Sequence, residues 1–400
     1  MSYVKRRLFE TVVGRLRCGS LRVRYPDGSR RAFAGPLPGP AAEVNLRNWR
    51  LPGRLVTSGA IGLADGWIAG DFDSPDLASL IELAALHLEP EHRPRFPEPL
   101  ERIGRVAWHA VGRAGSPRGP LVSTVQHYDL GNEFFAAWLD ETMTYSSAVF
   151  AREDMTLEEA QHEKYRLIAE AAGLREGMQV LEIGSGWGGF AVYAAAELGC
   201  TVTTVTDSRE QAIRVEKLAA ELGLQDRVLV RLEDFRDTPG TYEAIVSIEM
   251  IESIPGSRWP EYFRVLRDRL APGGKVGLQV ITVADRHWRS SNENPDFIRR
   301  YVFPGGQVPS PGVLRAEAAA VGLRWLGDAS FGWSYARTLA EWHRRFDAAW
   351  PRIAELGFDV RFRRMWQYYL SYCEGGFRSG RVDVSRISLG HPAAGRGGDA

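Results

Sequence analysis

Between residues 179 and 282 the chain switches repeatedly between two hydrophobic periods. Short apolar runs (QVLEIG, CTVTTVT, RVLVRL, YEAIVSIEM and KVGLQVIT) alternate with the longer segments FAVYAAAELG, SREQAIRVEKLAAELG and WPEYFRVLRDRLAPGG. Strand-length runs separated by helix-length ones predict βαβ units and a mostly parallel α/β sheet. Just upstream, EEAQHEKYRLIAEAAGL reads as a helix. Nearer the N-terminus, LRVRYPDGSRRAF alternates on both sides of a Pro-Asp-Gly turn and predicts a hairpin. GAIGLADGWIAGDFDSPDLASLIELAALHL then passes from a Gly-rich segment into an amphipathic helix, with Ser74 as the candidate N-cap before Pro75. Pro, Gly and Arg crowd the stretch 89–120, so the expected organisation is an α+β unit at 1–95, a linker at 96–120 and a larger unit at 121–400. Within the larger unit, 283–312 has weak periodicity and reads as a helical insertion or lid, followed by an Arg- and Trp-rich helical tail.

Composition adds exclusions. The 400 residues are 44 % hydrophobic and 25 % charged, ordinary for a globular protein with a sizeable core. Lys+Arg and Asp+Glu are 50 each, which gives no electrostatic footprint for nucleic acid. Cys18, Cys200 and Cys373 show no paired spacing, arguing against a disulfide framework and for a reducing compartment. No apolar run approaches the ~20 residues a spanning helix needs, and MSYVKRRLFETVVG lacks the apolar core of a signal peptide. The expected location is cytoplasmic, with any membrane contact at the surface.

LEIGSGWGGF is the candidate for chemistry. Gly184, Gly186 and Gly189 satisfy G-x-G-x-x-G with Asp207 about twenty residues on, so a dinucleotide fold is one reading. Two features favour S-adenosylmethionine (SAM): Glu182 precedes the first glycine by two residues, and the turn lies mid-chain. A glycine turn that merely joins strand to helix is the bland alternative.

HYDLGNEFFAAWLDETMTYSSAVF, VLEIGSGWGGFAVYAA, VTDSREQ, VSIEMIESI and RYVFPGGQVPS, in this order, resemble the cyclopropane-fatty-acid synthase family from about residue 120 to 385. The EMIE and LQVIT segments are similar to the branch associated with mid-chain methyl- or methylene-branched fatty acids. The resemblance implies a doubly wound class I SAM-methyltransferase fold and methyl transfer to the double bond of an unsaturated phospholipid acyl chain. It implies a carbocation deprotonated by a bound bicarbonate, peripheral association with the inner face of the membrane, and a homodimer. Around the bicarbonate it places the backbone of Ser147, Glu252, Gln279 where the cyclopropane enzymes have histidine, the backbone of Ile281, and the Tyr335 hydroxyl. Around SAM it places Tyr145 and Ser146, Gly184 and Gly186, Glu182, Thr206 and Gln211, and Asp234 and Phe235; spacing alone, not the resemblance, adds Asp207 as a secondary nominee for the ribose, a position where the family usually has an apolar residue.

Other residues stay between two readings. Glu249 and Glu252 follow a buried strand three positions apart, at the end of a parallel strand where α/β sheets bind ligands. Glu252 takes the site role, and Glu249 is read first as a helix-start charge. His127, with Tyr128, is a pocket candidate. Cys373 is assigned to packing, because methyl transfer to an alkene needs no covalent enzyme intermediate. Trp366, Tyr368, Tyr369 and Tyr372 are read as core, while Trp333, Trp342 and Trp350 stay open between core and tunnel wall. Arg6, Arg7, Arg15, Arg17, Arg22 and Arg24 form either a lipid-docking surface or a solvated basic face. Two rival functions remain: a methyltransferase of a soluble small molecule, and a non-catalytic lipid-binding homologue.

Overall fold

The computed structural model describes residues 2–88, 130–293 and 296–392; His127 and Tyr128 lie outside the described residues. The N-terminal elements are α1 (Ser2–Val13), β1 (Cys18–Arg24), β2 (Arg30–Ala34), β3 (Leu37–Leu46), α2 (Leu51–Ile68), β4 (Phe72–Asp73) and α3 (Leu77–Leu86). Then come α4 (Asn132–Ala136), α5 (Leu157–Ala172), β5 (Gln179–Ile183), α6 (Gly189–Ala196), β6 (Thr201–Thr206), α7 (Arg209–Glu221), β7 (Val228–Leu232) and β8 (Tyr242–Ile248). The remainder is α8 (Trp259–Arg269), β9 (Leu270–Val283), α9 (Asp285–Glu293), α10 (Pro311–Ala320), β10 (Arg324–Ser330), α11 (Gly332–Glu355), α12 (Val360–Arg378) and β11 (Val382–Gly390).

Two compact units form. One comprises Met1–His127, Glu293–Pro304 and Leu339–Arg381, the other Tyr128–Asn292, Gly305–Thr338 and Val382–Ala400. Much of the Arg- and Trp-rich tail therefore belongs with the N-terminal elements, which a linear division at residue 120 does not anticipate. The first unit holds a four-stranded sheet ordered β2-β1-β3-β4. The expected hairpin is present, with Arg24 opposite Arg30, and β3 joins the other edge of β1 in parallel. The Gly-rich segment is itself helical, kinked at Gly59 (φ 52°) within α2. Helix α3 starts later than expected: its N-cap is Asp76, whose carboxylate accepts from the Ser79 N–H, while the Ser74 hydroxyl donates to the Glu43 and Asp76 carbonyls.

Helix α12 lies so close to α3 that a Cβ on Gly375 would sit 2.9 Å from the Ala78 carbonyl. Arg364 anchors α12: its guanidinium donates to the Phe72 carbonyl and Asp73 and lies 4.2 Å from the Trp67 ring centroid. Trp342, Trp366, Tyr368 and Tyr369 are buried core, whereas Trp333 is 72 % exposed. The basic N-terminal face is partly neutralised, since Arg6 pairs with Glu10 and Asp27, and Arg22 with Glu43.

The second unit is built on a seven-stranded sheet ordered β10-β11-β9-β8-β5-β6-β7. Strands β5 to β9 are parallel, while β10 and β11 add antiparallel. One face packs Leu181, Ile245, Phe263 and Leu278; the other packs Ile168, Val180, Val202 and Ala244. Both faces being covered explains why the strands read as continuous apolar runs. Strand order reverses at β5, which has β6 on one side and β8 on the other, so the carboxyl ends of β5 and β8 flank the switch point where such sheets bind ligands. The stretch 283–312 contains α9 and a π-helical turn at Ile298–Val302, and it is divided between the two units.

Candidate active site

At the end of β5 the backbone makes three left-handed steps, at Gly184 (φ 93°), Gly186 (φ 48°) and Gly188 (φ 92°), before α6 begins. Such values strongly favour glycine. The Gly184 and Ser185 N–H groups both donate to the Val205 carbonyl, which pins the turn to β6. A Cβ on Gly189 would lie 2.1 Å from the Tyr165 hydroxyl, so this glycine lets α5 approach the turn. Within the turn, Trp187 donates its indole N–H to Asn132 and packs on Phe135, whose ring also contacts Tyr145.

The expected cofactor residues sort into groups. Thr206, at the end of β6, donates to the Gln211 side chain in the first turn of α7, so the two expected ribose contacts are joined at 2.8 Å. Asp207 beside them is exposed. Asp234 is held by the Arg236 guanidinium and N–H, which pulls its carboxyl below the usual range, and Phe235 packs edge-on to Tyr262. Glu182 points into the sheet rather than at the turn. It is 3 % exposed and accepts from Thr204 across the β5–β6 pair. Burial pushes its carboxyl up to about 8 against the opposing pulls of Thr204 and Lys164.

The groups expected around an anion do converge, and what they converge on is a side chain of this protein. The backbone N–H of Ser147 and the Gln279 amide each donate to Glu249 Oε1 at 2.8 Å, and the Tyr335 hydroxyl donates to Glu249 Oε2 at 2.7 Å. Gln279 also donates to the Ser147 carbonyl, and its own carbonyl accepts the Glu249 N–H. Ser147, Gln279 and Tyr335 are all buried. Glu249 directly follows β8 at φ 50°, a left-handed conformation that costs a non-glycine residue about 1 kcal/mol or more. Burial raises its carboxyl, while Gln279, Ser147, Tyr335 and Lys164 pull it back. Glu252, one turn on, accepts from the Ile281 N–H, and its other oxygen has no hydrogen-bond partner among the described residues. Burial and then the Glu249 charge push Glu252 up to about 8.

Further residues enter that the sequence reading did not nominate. Lys164 is 1 % exposed and donates from Nζ to Ser146 Oγ at 2.7 Å. Gln161, one turn earlier on α5, donates to the Ser146 carbonyl. Their signal in the sequence is polar residues on the inward stripe of an otherwise amphipathic helix. Cys373 is a partly buried thiol on α12. Among the described residues no cluster of His, Cys, Asp or Glu could hold a metal ion, and no helix is long and apolar enough to cross a membrane.

Comparison with known proteins gives a consistent answer. The mycolic acid cyclopropane synthetase family model matches residues 119–387. A tuberculostearic acid methyltransferase, UfaA1, of Mycobacterium tuberculosis is 37 % identical over 382 residues, covering 92 % of this chain and 87 % of that protein. The cyclopropane-fatty-acyl-phospholipid synthase of Escherichia coli is 33 % identical over 353 residues, covering 86 % and 87 %. The solved cyclopropane synthase MmaA2 of M. tuberculosis superposes with a TM-score of 0.63 at 32 % identity, covering 69 % of this chain and 99 % of that one. The mycolic acid cyclopropane synthase CmaA1, solved with SAH and CTAB, gives a TM-score of 0.63 at 30 % identity, with coverage of 68 % and 98 %. The chain belongs to the mycolic acid cyclopropane synthetase family and is a SAM-dependent methyltransferase of the group that modifies fatty acids.

Proposed function

We propose that this family member adds a one-carbon unit to the double bond of an unsaturated phospholipid acyl chain, and that the Glu249 carboxylate takes up the proton released afterwards. The observation behind it is the cradle of Ser147 N–H, Gln279 amide and Tyr335 hydroxyl closed around Glu249. SAM supplies an electrophilic methyl group when bound. Tyr145, Ser146, Gly184, Gly186, Thr206, Gln211, Asp234 and Phe235 are the residues that would hold it, and the glycine turn fits a ligand approaching close to backbone.

The alkene π pair forms the new C–C bond to that methyl as the C–S bond breaks, its electron pair staying on sulfur. A carbocation is left on the neighbouring alkene carbon. Negative charge and exclusion of water stabilise such a centre, and a buried carboxylate ringed by donors provides both. A C–H proton then passes to Glu249, and the C–H electron pair closes either a three-membered ring or a new C=C bond. Loss of a proton from the new methyl closes a cyclopropane, and loss from a carbon beside the cation gives a methyl-branched alkene. A methylene branch requires the hydrogen on the methyl-bearing carbon to migrate with its electron pair to the cation before the methyl loses its proton.

A free bicarbonate does not fit this arrangement. The donors that would bind it already serve Glu249, and a second anion there would meet like charge at close range. No step is therefore assigned to it. The phospholipid substrate and surface docking on the membrane are supported by alignment with the E. coli phospholipid enzyme over most of both chains.

The test is incubation with methyl-labelled SAM and vesicles of unsaturated phospholipid, followed by NMR of the released fatty acids. Label in the acyl chains is the expected result, and its position distinguishes ring from branch. Label confined to water-soluble products refutes the proposal in favour of a soluble substrate, and SAM binding without turnover refutes it in favour of a non-catalytic homologue.

A further inference from the structure

One turn of α5 grips the segment that leads to the Glu249 cradle. Gln161 donates to the Ser146 carbonyl at 3.1 Å, Lys164 donates to the Ser146 hydroxyl at 2.7 Å, and the Tyr165 hydroxyl bonds Thr144. The next residue, Ser147, donates its N–H to Glu249. The Ser146–Ser147 segment is thus tied to Lys164 through the Ser146 hydroxyl and to Glu249 through the Ser147 N–H. Carboxyls from three elements face that ammonium: Asp140 after α4, Glu182 on β5 and Glu249 after β8. Tyr165, on its own helix, has its ring centroid 4.8 Å from Nζ. All three acids also accept hydrogen bonds, Asp140 from the Thr142 and Thr144 N–H groups, Glu182 from Thr204 and Glu249 from its cradle, and Glu249 exerts the strongest pull on the ammonium. A buried ammonium left among acids must be offset by at least one carboxylate.

We infer that Lys164 is a positioning residue of the reaction, whose buried charge keeps Glu249 ionised and able to accept a proton while its hydrogen bond fixes Ser146. The inference depends on Glu249 being the proton acceptor. The lysine acts through electrostatics and through Ser146 and touches no reacting atom. Burial pulls its ammonium down to about 7, against Glu249, Asp140 and Glu182, which pull it up. The lysine charge therefore matters most below neutrality, where a Glu249 carboxyl without it would hold its proton; at higher pH Glu249 ionises unaided.

Two full-length Lys164 variants test this by carboxyl titration, which does not involve turnover, and by turnover beside it. Carbon-13 carboxyl NMR, with the Glu249 signal assigned by its loss in Glu249→Gln, follows the titration of Glu249 in the wild type, Lys164→Met and Lys164→Arg. The expected result is an upward-shifted Glu249 midpoint in Lys164→Met, together with about a tenfold deficit in turnover at pH 6 that narrows as pH rises. Lys164→Arg keeps its charge at every accessible pH, so it holds the wild-type midpoint and the wild-type turnover at pH 6. An unchanged midpoint in Lys164→Met, even with a lowered melting temperature, overturns the inference and leaves a packing role. Should Lys164→Met fail to fold, Lys164→Gln is titrated in its place, and an unchanged Glu249 midpoint there overturns it equally. A shifted midpoint in a protein that labels no acyl chain upholds this inference while refuting the proposed function.

Discussion

Glu249→Gln is the substitution that separates a proton acceptor from a structural acid. The amide matches the carboxylate in shape, so its oxygen continues to accept from the Ser147 N–H and the Gln279 amide, both at 2.8 Å in the wild type. The new NH2 faces the Tyr335 hydroxyl, now at 2.7 Å from Oε2, and that hydroxyl can turn to accept. Hydrogen bonding thus survives, and only the capacity to take a proton is lost. A positioned general base contributes about 10²–10⁴-fold, so kcat should fall by that factor, about 3–5 kcal/mol of barrier. SAM affinity by calorimetry should stay within about threefold, because the cofactor residues are untouched. Stability carries two opposing contributions, since burial opposes the ionised form of Glu249 while its loss leaves the Lys164 ammonium with one carboxylate fewer. Glu252→Gln is the internal control. Its carboxyl, held up to about 8, is largely protonated at neutral pH and serves the Ile281 N–H, which an amide oxygen also serves. Turnover there should drop less than about tenfold, the amide being a sufficient acceptor. Glu249→Gly would relieve the φ 50° conformation and vacate the cradle, and added formate or bicarbonate should then restore part of the activity. If Glu249→Gln methylates vesicle lipid within threefold of wild type, or Glu252→Gln is the more damaged, the assignment of the base fails.

Two more predictions concern the fold. Arg364→Ala removes hydrogen bonds to the Phe72 carbonyl and Asp73 and the stacking on Trp67; urea titration should show a loss of about 2–4 kcal/mol, and a loss under ~0.5 kcal/mol would show that α12 is held by its apolar face alone. Stability should also respond to pH through Glu182, whose folded carboxyl titrates near 8 because of burial. A raised folded value means its contribution is complete below the unfolded value of about 4.3 and is lost as pH climbs through 8. Glu182→Gln should therefore flatten the decline of unfolding free energy between pH 5 and 8, by at most about 1.4 kcal/mol per unit; parallel curves for variant and wild type would refute it.

The fold was legible where burial is two-sided. Strands β5, β6, β8 and β9 are covered on both faces, so QVLEI, TVTTVT and YEAIVSI carry apolar runs that no loop would need, and α7 and α8 show a single apolar stripe. The N-terminal cap of α3 was misjudged by two residues because Ser74, Asp76 and Ser79 are all competent capping types. Local chemistry cannot choose among them; the Asp76 carboxylate wins by reaching both the N–H and the hydroxyl of Ser79. The tail's membership of the first unit was illegible for another reason: apolar residues on α12 announce that a helix is buried, not against what.

The site was legible as a set and illegible in its centre. Resemblance brought Ser147, Gln279 and Tyr335 together correctly as neighbours, yet the residue they serve is read from sequence as a charge favoured at a helix start. A strand that ends in Ser-Ile-Glu-Met gives no hint that the glutamate takes a left-handed backbone, and that conformation is what turns its carboxylate back toward Gln279, whose carbonyl accepts the Glu249 N–H. Lys164 was hidden similarly, since EEAQHEKYRLI has the composition of a solvated helix with five charges, and only the packing of α5 under the Ser146 segment separates the buried one from the others. Strain at Glu249 and an interior charge at Lys164 both oppose folding. Neither helps to specify the fold, and their attachment to the adjacent residues Ser146 and Ser147 is the observation on which the proposed positioning role of Lys164 rests.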